Sequence, residues 1–141
     1  MRIVLLGLLL GASLTATACR ASAGAGGATA VGRWRLVALE GVDLTALDEA
    51  PELVIGADGA LSGYGGVNRF SGHTDAEALR AGELRAGPLI STRRAGPPAA
   101  MEAEARFFAV LGATPEWRRS DGALELVQDG VVKARFLAVE P

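Results

Sequence analysis

Few side chains in this 141-residue chain are able to do chemistry. Its one histidine, His73, follows Gly72 in a stretch that reads as a loop. With no second histidine and a single cysteine, a zinc site lacks ligands. A nucleophilic triad would have to combine His73 with Ser91 and Asp75, and no nucleophile-elbow motif supports it. Glu102 and Glu104 fall two apart on an expected helix, where side chains diverge, so they do not make an acid–base pair. The expectation is a protein that is not an enzyme, with no catalytic residue, no metal and no cofactor.

Two polar stretches remain. Gly63 to Gly72 reads GYGGVNRFSG, and four glycines in ten residues imply turns or close backbone approach. It is not a phosphate loop, which needs Gly-Lys followed by Ser or Thr, nor a dinucleotide loop, which needs glycine where Asn68 stands. Asn68 tolerates left-handed backbone and bonds its own neighbours, so it either holds the turn or faces a ligand. Gly87 to Pro98 reads GPLISTRRAGPP, where two arginines beside Ser91 and Thr92 either bind an anion or sit in a solvated loop. Segments that are neither periodic nor core tend to serve recognition, so Asn68, Arg69, Phe70, Arg93 and Arg94 form the candidate interaction surface.

Strands must position these segments. Arg33 to Glu40 alternates, with Trp34, Leu36 and Ala38 on one face. Glu52 to Gly56 is a short apolar strand, the turn Ala57-Asp58-Gly59 follows, and residues 60–64 return. Residues 77–86 are a weaker strand candidate around Leu79 and Leu84. Trp117 starts a strand before Asp121-Gly122. Ala123 to Gln128 carries Leu124 and Leu126 inward, Asp129-Gly130 is a two-residue hairpin turn, and Val131 to Val139 returns with Val132, Ala134, Phe136 and Ala138 on one face. One helix interrupts them. Pro97-Pro98 opens it, helix formers fill it, and Gly112 stops it. Met101, Ala105, Phe108 and Leu111, with Phe107 beside them, are its expected core face, and Glu102–Arg106 its solvent pair. One helix amid antiparallel strands makes the fold class α+β.

The N-terminus reads differently. Arg2, the uncharged run Ile3 to Leu10 and the small residues Thr15 to Ala18 have the three parts of a secretory signal over residues 1–18, and the run is too short to span a bilayer. Ala16-Thr17-Ala18-Cys19 resembles the lipobox of bacterial lipoproteins, although leucine is usual where Ala16 stands. The resemblance implies that Cys19, the only cysteine, carries the lipid; the same residues also satisfy ordinary secretory cleavage. Arg20 to Ala30, RASAGAGGATA, is a tether reaching roughly 18 Å. The expected organisation is therefore signal 1–18, lipidated cysteine and tether 19–31, and folded domain 32–141. A formal charge of −2 without a basic cluster argues against a nucleic-acid partner.

Taken in order, these motifs resemble the META domain, the family of HslJ-like lipoproteins. The resemblance rests on Trp34, Leu36 and Gly41; on Asp58-Gly59, Ser62-Gly63 and Asn68 to Gly72; on Gly87-Pro88, Ser91-Thr92-Arg93 and Pro97; on Met101, Glu104, Phe107 and Leu111; and on Leu124 and Leu126. It implies a curled, incompletely closed antiparallel β-barrel with one packed helix over about residues 98–111. It implies an envelope role tied to stress tolerance or secretion. The lipobox adds a lipid anchor, and Arg20, in place of the aspartate associated with inner-membrane retention, puts that anchor on the periplasmic side of an outer membrane if the cell has one; the alternative is a soluble periplasmic or secreted protein. It also implies cysteines where this chain has Val67 and Gly96, whose joint loss is what a missing disulfide would look like, so those two residues are expected to be neighbours. Three functions compete: a module that binds or stabilises an envelope protein, a carrier of a lipid or small apolar ligand inside the barrel, and a purely structural lipoprotein.

Overall fold

The computed structural model describes residues 29–140. Cys19, the signal over 1–18 and the tether up to residue 28 lie outside the described residues. The folded body begins before residue 32: Trp34 Nε1 donates to the Ala30 carbonyl at 2.8 Å, Ala30 is buried, and Arg119 reaches the Thr29 carbonyl. The Arg119 guanidinium also lies over the Trp34 ring, 4.6 Å from its centre.

Eight strands form one antiparallel sheet: β1 (Gly32–Leu39), β2 (Glu52–Ile55), β3 (Ala60–Tyr64), β4 (Arg69–His73), β5 (Ile90–Ser91), β6 (Glu116–Ser120), β7 (Ala123–Gln128) and β8 (Val131–Ala138), in the spatial order β5-β4-β3-β2-β1-β8-β7-β6. Short turns link β2 to β3, β3 to β4, β6 to β7 and β7 to β8. Asp121-Gly122 and Asp129-Gly130 both take positive φ at both positions, the backbone that suits a two-residue hairpin. In the β2–β3 turn the Asp58 carboxylate accepts from the Ala60 N–H at 3.0 Å.

The sheet curls around a core without closing. Gly82 to Gly87 stitches the end of β4 to β6 through single bridges, Thr74 with Ala86 and Glu83 with Glu116. Among the described residues no ladder joins β5 to β6, so the molecule is an α+β curled open sheet, and the hydrogen-bonded barrel is not completed. Among the described residues two helices accompany the sheet, α1 (Ala76–Arg80) and α2 (Pro98–Gly112), with a 3-10 turn at Leu44–Ala46. Among the described residues no helix is long and apolar enough to cross a membrane.

Besides α2, four readings differ from the sequence expectation. Residues 76–80 are helical rather than extended because Asp75 caps them, its carboxylate accepting from the Ala78 N–H at 2.7 Å. His73 ends a strand rather than sitting in a loop. In β1 a register shift between Leu36 and Ala38 turns Leu39 inward and leaves Ala38 exposed. In β8 the core takes Ala134 and Phe136, while Ala138 is exposed.

The expected core face of α2 is rotated. Its buried residues are Ala100, Ala103, Glu104, Phe107, Val110 and Leu111, whereas Met101 is exposed, Ala105 is exposed and Phe108 is half-buried. The true face holds two alanines and a charge, which a search for large apolar residues places outside. Aromatic rings meet within the largely aliphatic core: Phe70 meets Phe107 and Phe108 edge-on at 5.8 and 5.3 Å, and Phe107 lies 6.1 Å from Phe136.

At the sheet's other edge, Trp117 Nε1 donates to the Leu79 carbonyl at 2.7 Å, pinning β6 to α1. Trp117→Phe removes that bond and leaves the Leu79 carbonyl with the longer bond from the Gly82 N–H at 3.2 Å. Its expected cost is about 1 kcal/mol, read as a lower urea midpoint at unchanged slope. An unmoved midpoint would mean that the pin contributes nothing.

Candidate functional site

Glu104 is the charge that α2 carries into the core, and among the described residues no cation is in an ion pair with it. Its carboxylate instead accepts three hydrogen bonds from the glycine–asparagine segment: from the Val67 N–H at 3.0 Å, the Asn68 N–H at 2.6 Å and Asn68 Nδ2 at 2.7 Å. A carboxylate is acceptor-only, so it suits three converging donors. Close approach makes this possible. A Cβ on Gly65 would lie 2.8 Å from Glu104 Oε2 and 2.9 Å from Phe108, and Gly66 has φ +125°. The Tyr64 hydroxyl donates to the Gly66 carbonyl at 2.6 Å and closes the turn. Burial, helped by the Glu49 and Glu104 carboxylates, pushes the Tyr64 phenol above its ordinary range, which keeps its donated proton in place.

Asn68 passes this anchor on to the second polar stretch. Its Oδ1 accepts from Thr92 Oγ1 at 2.9 Å and from the Arg94 N–H at 2.7 Å, and its Nδ2 also donates to the Arg94 carbonyl at 3.2 Å. The Thr92 N–H donates to the Arg69 carbonyl at 3.0 Å. Every hydrogen-bonding position of the Asn68 side chain is therefore used within the protein. The result is a clasp, with α2 holding the turn and the turn holding residues 92–94.

The five expected surface residues divide. Arg69, Arg93 and Arg94 are exposed, and the clasp brings them together at the β4–β5 end of the sheet. Among the described residues none of the three is in an ion pair with a carboxylate, although six ion pairs occur elsewhere. Asn68 and Phe70 are not on the surface. Asn68 is 3% exposed because its amide is consumed by the clasp, and Phe70 is 3% exposed because its ring fills the core against Phe107 and Phe108. Strand alternation explains Phe70: in β4 its neighbours Arg69 and Ser71 take the outward positions.

Sequence reasoning missed Glu104 and Tyr64. A carboxylate on a helix face otherwise rich in helix formers looks solvated, and its partners lie 36 residues away. Tyr64 lines two adjoining surface clefts, of about 250 and 470 Å³, which also share Glu49. Arg94 opens onto the first and Arg69 onto the second.

The residues considered for chemistry are dispersed into other roles. His73 is exposed at the end of β4, and the Asp75 carboxylate caps α1. Among the described residues no three His, Cys, Asp or Glu side chains gather as a metal site would require. Val67 and Gly96, by contrast, are neighbours as expected: a Cβ built on Gly96 lies 3.4 Å from the Val67 Cβ and 2.7 Å from its Cγ2.

A family model for the META domain matches residues 28–140. Two solved NMR structures are similar to the chain, each with a TM-score of 0.61. One has 23% identity over 78% of this chain and 91% of its own. The other, of a protein from Burkholderia xenovorans, has 21% identity over 78% of this chain and 83% of its own. These likenesses concern the fold. No curated protein matches the chain.

Proposed function

The chain belongs to the META domain family, and from that premise we propose that it is a non-catalytic binding module of the cell envelope, tethered through a lipid on Cys19. It presents Arg69, Arg93 and Arg94 to an envelope protein, in the setting of stress tolerance or secretion. The observation that carries this reading is the clasp. A buried carboxylate, a buried asparagine and two glycines are committed to fixing three exposed arginines that the rest of the described residues leave without carboxylate partners. Oriented, unneutralised charge of this kind serves recognition rather than stability.

The filled interior supports this reading over carriage of an apolar ligand inside the sheet. Trp34, Leu53, Phe107, Leu124, Leu126 and Phe136 are fully buried there, which supports a partner met at the surface. A cage for a lipid would need that volume free.

The test is photo-crosslinking in intact cells, with the chain expressed behind its own signal. Arg69→Ala, Arg93→Ala and Arg94→Ala combined are expected to lower the yield of a partner adduct at least about tenfold, with an unchanged urea midpoint because all three are exposed. Undiminished adducts would contradict the reading. The intact mass of membrane-isolated protein reports the tether: added acyl chains at Cys19 support it, and an unmodified chain contradicts it.

A further inference from the structure

The two-residue strand β5 understates the extended edge it belongs to. The Thr92 N–H donates to the Arg69 carbonyl, and Arg94 then bonds the Asn68 side chain through both its N–H and its carbonyl. The Asn68 amide, one donor and one acceptor, here stands in for a further backbone unit of β4. Residues 90–94 thus run as one edge whose inward-bonding positions are Ile90, Thr92 and Arg94. Backbone groups alternate along an antiparallel strand, so those of Ser91 and Arg93 point away from the sheet.

That edge is available. β5 is terminal in the strand order, residues 90–95 are exposed, and Ile90 is 75% exposed although it is a large apolar residue. Proteins usually protect an edge by shortening, bulging or covering it. Here Pro88 and Pro97 bound it at the two ends and the middle is open. Cross-strand register lays Arg69 beside Tyr64 on the outer face, and Arg93 and Arg94 follow β5 in the chain. A partner strand placed here would meet two backbone donors, two backbone acceptors, an apolar contact on Ile90 and three arginines.

We propose that this edge takes an extended acidic segment of the partner protein as an added antiparallel or parallel strand, its backbone bonded to Ser91 and Arg93 and its carboxylates meeting Arg69, Arg93 and Arg94. The proposal rests on the arginine surface being the recognition face and names what that face recognises. Main-chain bonds supply the affinity and alternate side chains the selectivity. Ile90 supplies the apolar contact, and the charges orient the approach.

The probe is a short synthetic peptide alternating glutamate with threonine and valine, added to the full chain and followed by amide hydrogen exchange and NMR titration. The expected result is slowed exchange at Ser91 and Arg93 on binding. Ser91→Pro, which removes an outward N–H, and the exposed double change Arg93→Glu with Arg94→Glu are each expected to weaken binding at least about tenfold. A control peptide of equal charge with prolines for the threonines and valines should bind at least about tenfold more weakly. Equal binding of that control would mean that charge alone holds the peptide, and would overturn strand addition. So would failure of the first peptide to bind, binding without protection at Ser91 and Arg93, or unchanged affinity in the glutamate variant. If the arginines still govern the cellular adduct while those amides stay unprotected, the recognition face stands and strand addition fails; if the adduct ignores the arginines as well, both fail.

Discussion

Glu104→Ala is expected to destabilise the domain by about 3–5 kcal/mol, which is a large part of the stability of a chain this size. The residue is 6% exposed, and truncation leaves the Val67 N–H, the Asn68 N–H and Asn68 Nδ2 facing a void. Each buried donor without an acceptor costs about 1–3 kcal/mol. Glu104→Gln separates shape from charge. One of its two polar atoms becomes an NH₂ that must face a donor whichever way the amide is turned, so it should fall between wild type and alanine. Urea unfolding of Glu104→Ala, Asn68→Ala and the double variant completes the test. The double variant should cost less than the sum of the singles by about the 1–3 kcal/mol of the one bond the two side chains share, Asn68 Nδ2 to Glu104 Oε1, which either single change breaks. Additive costs would show that the two residues do not act as a unit.

The Val67 and Gly96 pair yields the second large effect, in the opposite direction. Val67→Cys with Gly96→Cys should oxidise spontaneously and raise stability by about 3.6 kcal/mol over the reduced form, the value for closing a loop of about 30 residues. The built Cβ–Cβ separation of 3.4 Å is just below the usual disulfide range, and Gly96 is not at positive φ, so a side chain is admissible once the valine branches are gone. The single change Gly96→Ala has the opposite sign. Its Cβ would meet Val67 Cγ2 at 2.7 Å and Cγ1 at 2.9 Å, overpacking that should cost about 1–3 kcal/mol and be relieved by Val67→Ala. The oxidised and reduced melting curves of the cysteine pair decide the matter; coincident curves would contradict the proximity. The disulfide would join the turn to the start of α2, the two ends that the clasp already holds, so this chain achieves with hydrogen bonds part of what a covalent link would do.

The hairpins were legible in the sequence because Asp-Gly at 121–122 and 129–130 has few other conformational uses, and alternation around those turns fixes which side faces inward. The limits of α2 were legible for a similar reason, with Pro98 at its start and Gly112 at its end. Its rotation was not. Pattern reading assigns a carboxylate to solvent, and Glu104 is buried only because three donors from a distant turn converge on it. Short elements failed differently. β4 is short and carries Gly72 and polar residues, and β5 has two residues, too few to show a period, and Asn68 extends their ladder through its side chain. Phe70 lay inside a motif chosen for recognition, yet the alternation in Arg69-Phe70-Ser71 holds the information that it faces inward once that segment is known to be a strand. The three arginines were found because they sit in a segment with no packing pattern, and exposure is what such a segment leaves them.

Position-resolved photo-crosslinking separates the β5 edge from the rest of the surface. A photoreactive residue is placed at Ser91, and in a parallel strain at Arg118 on the opposite edge strand β6, both exposed. If residues 90–94 are where a partner docks, Ser91 yields a discrete adduct in intact cells, the adduct is lost when Arg69, Arg93 and Arg94 are alanine, and Arg118 yields none of that mass. The same adduct from both positions, or one from Ser91 that survives the three alanines, would contradict a binding role for this edge.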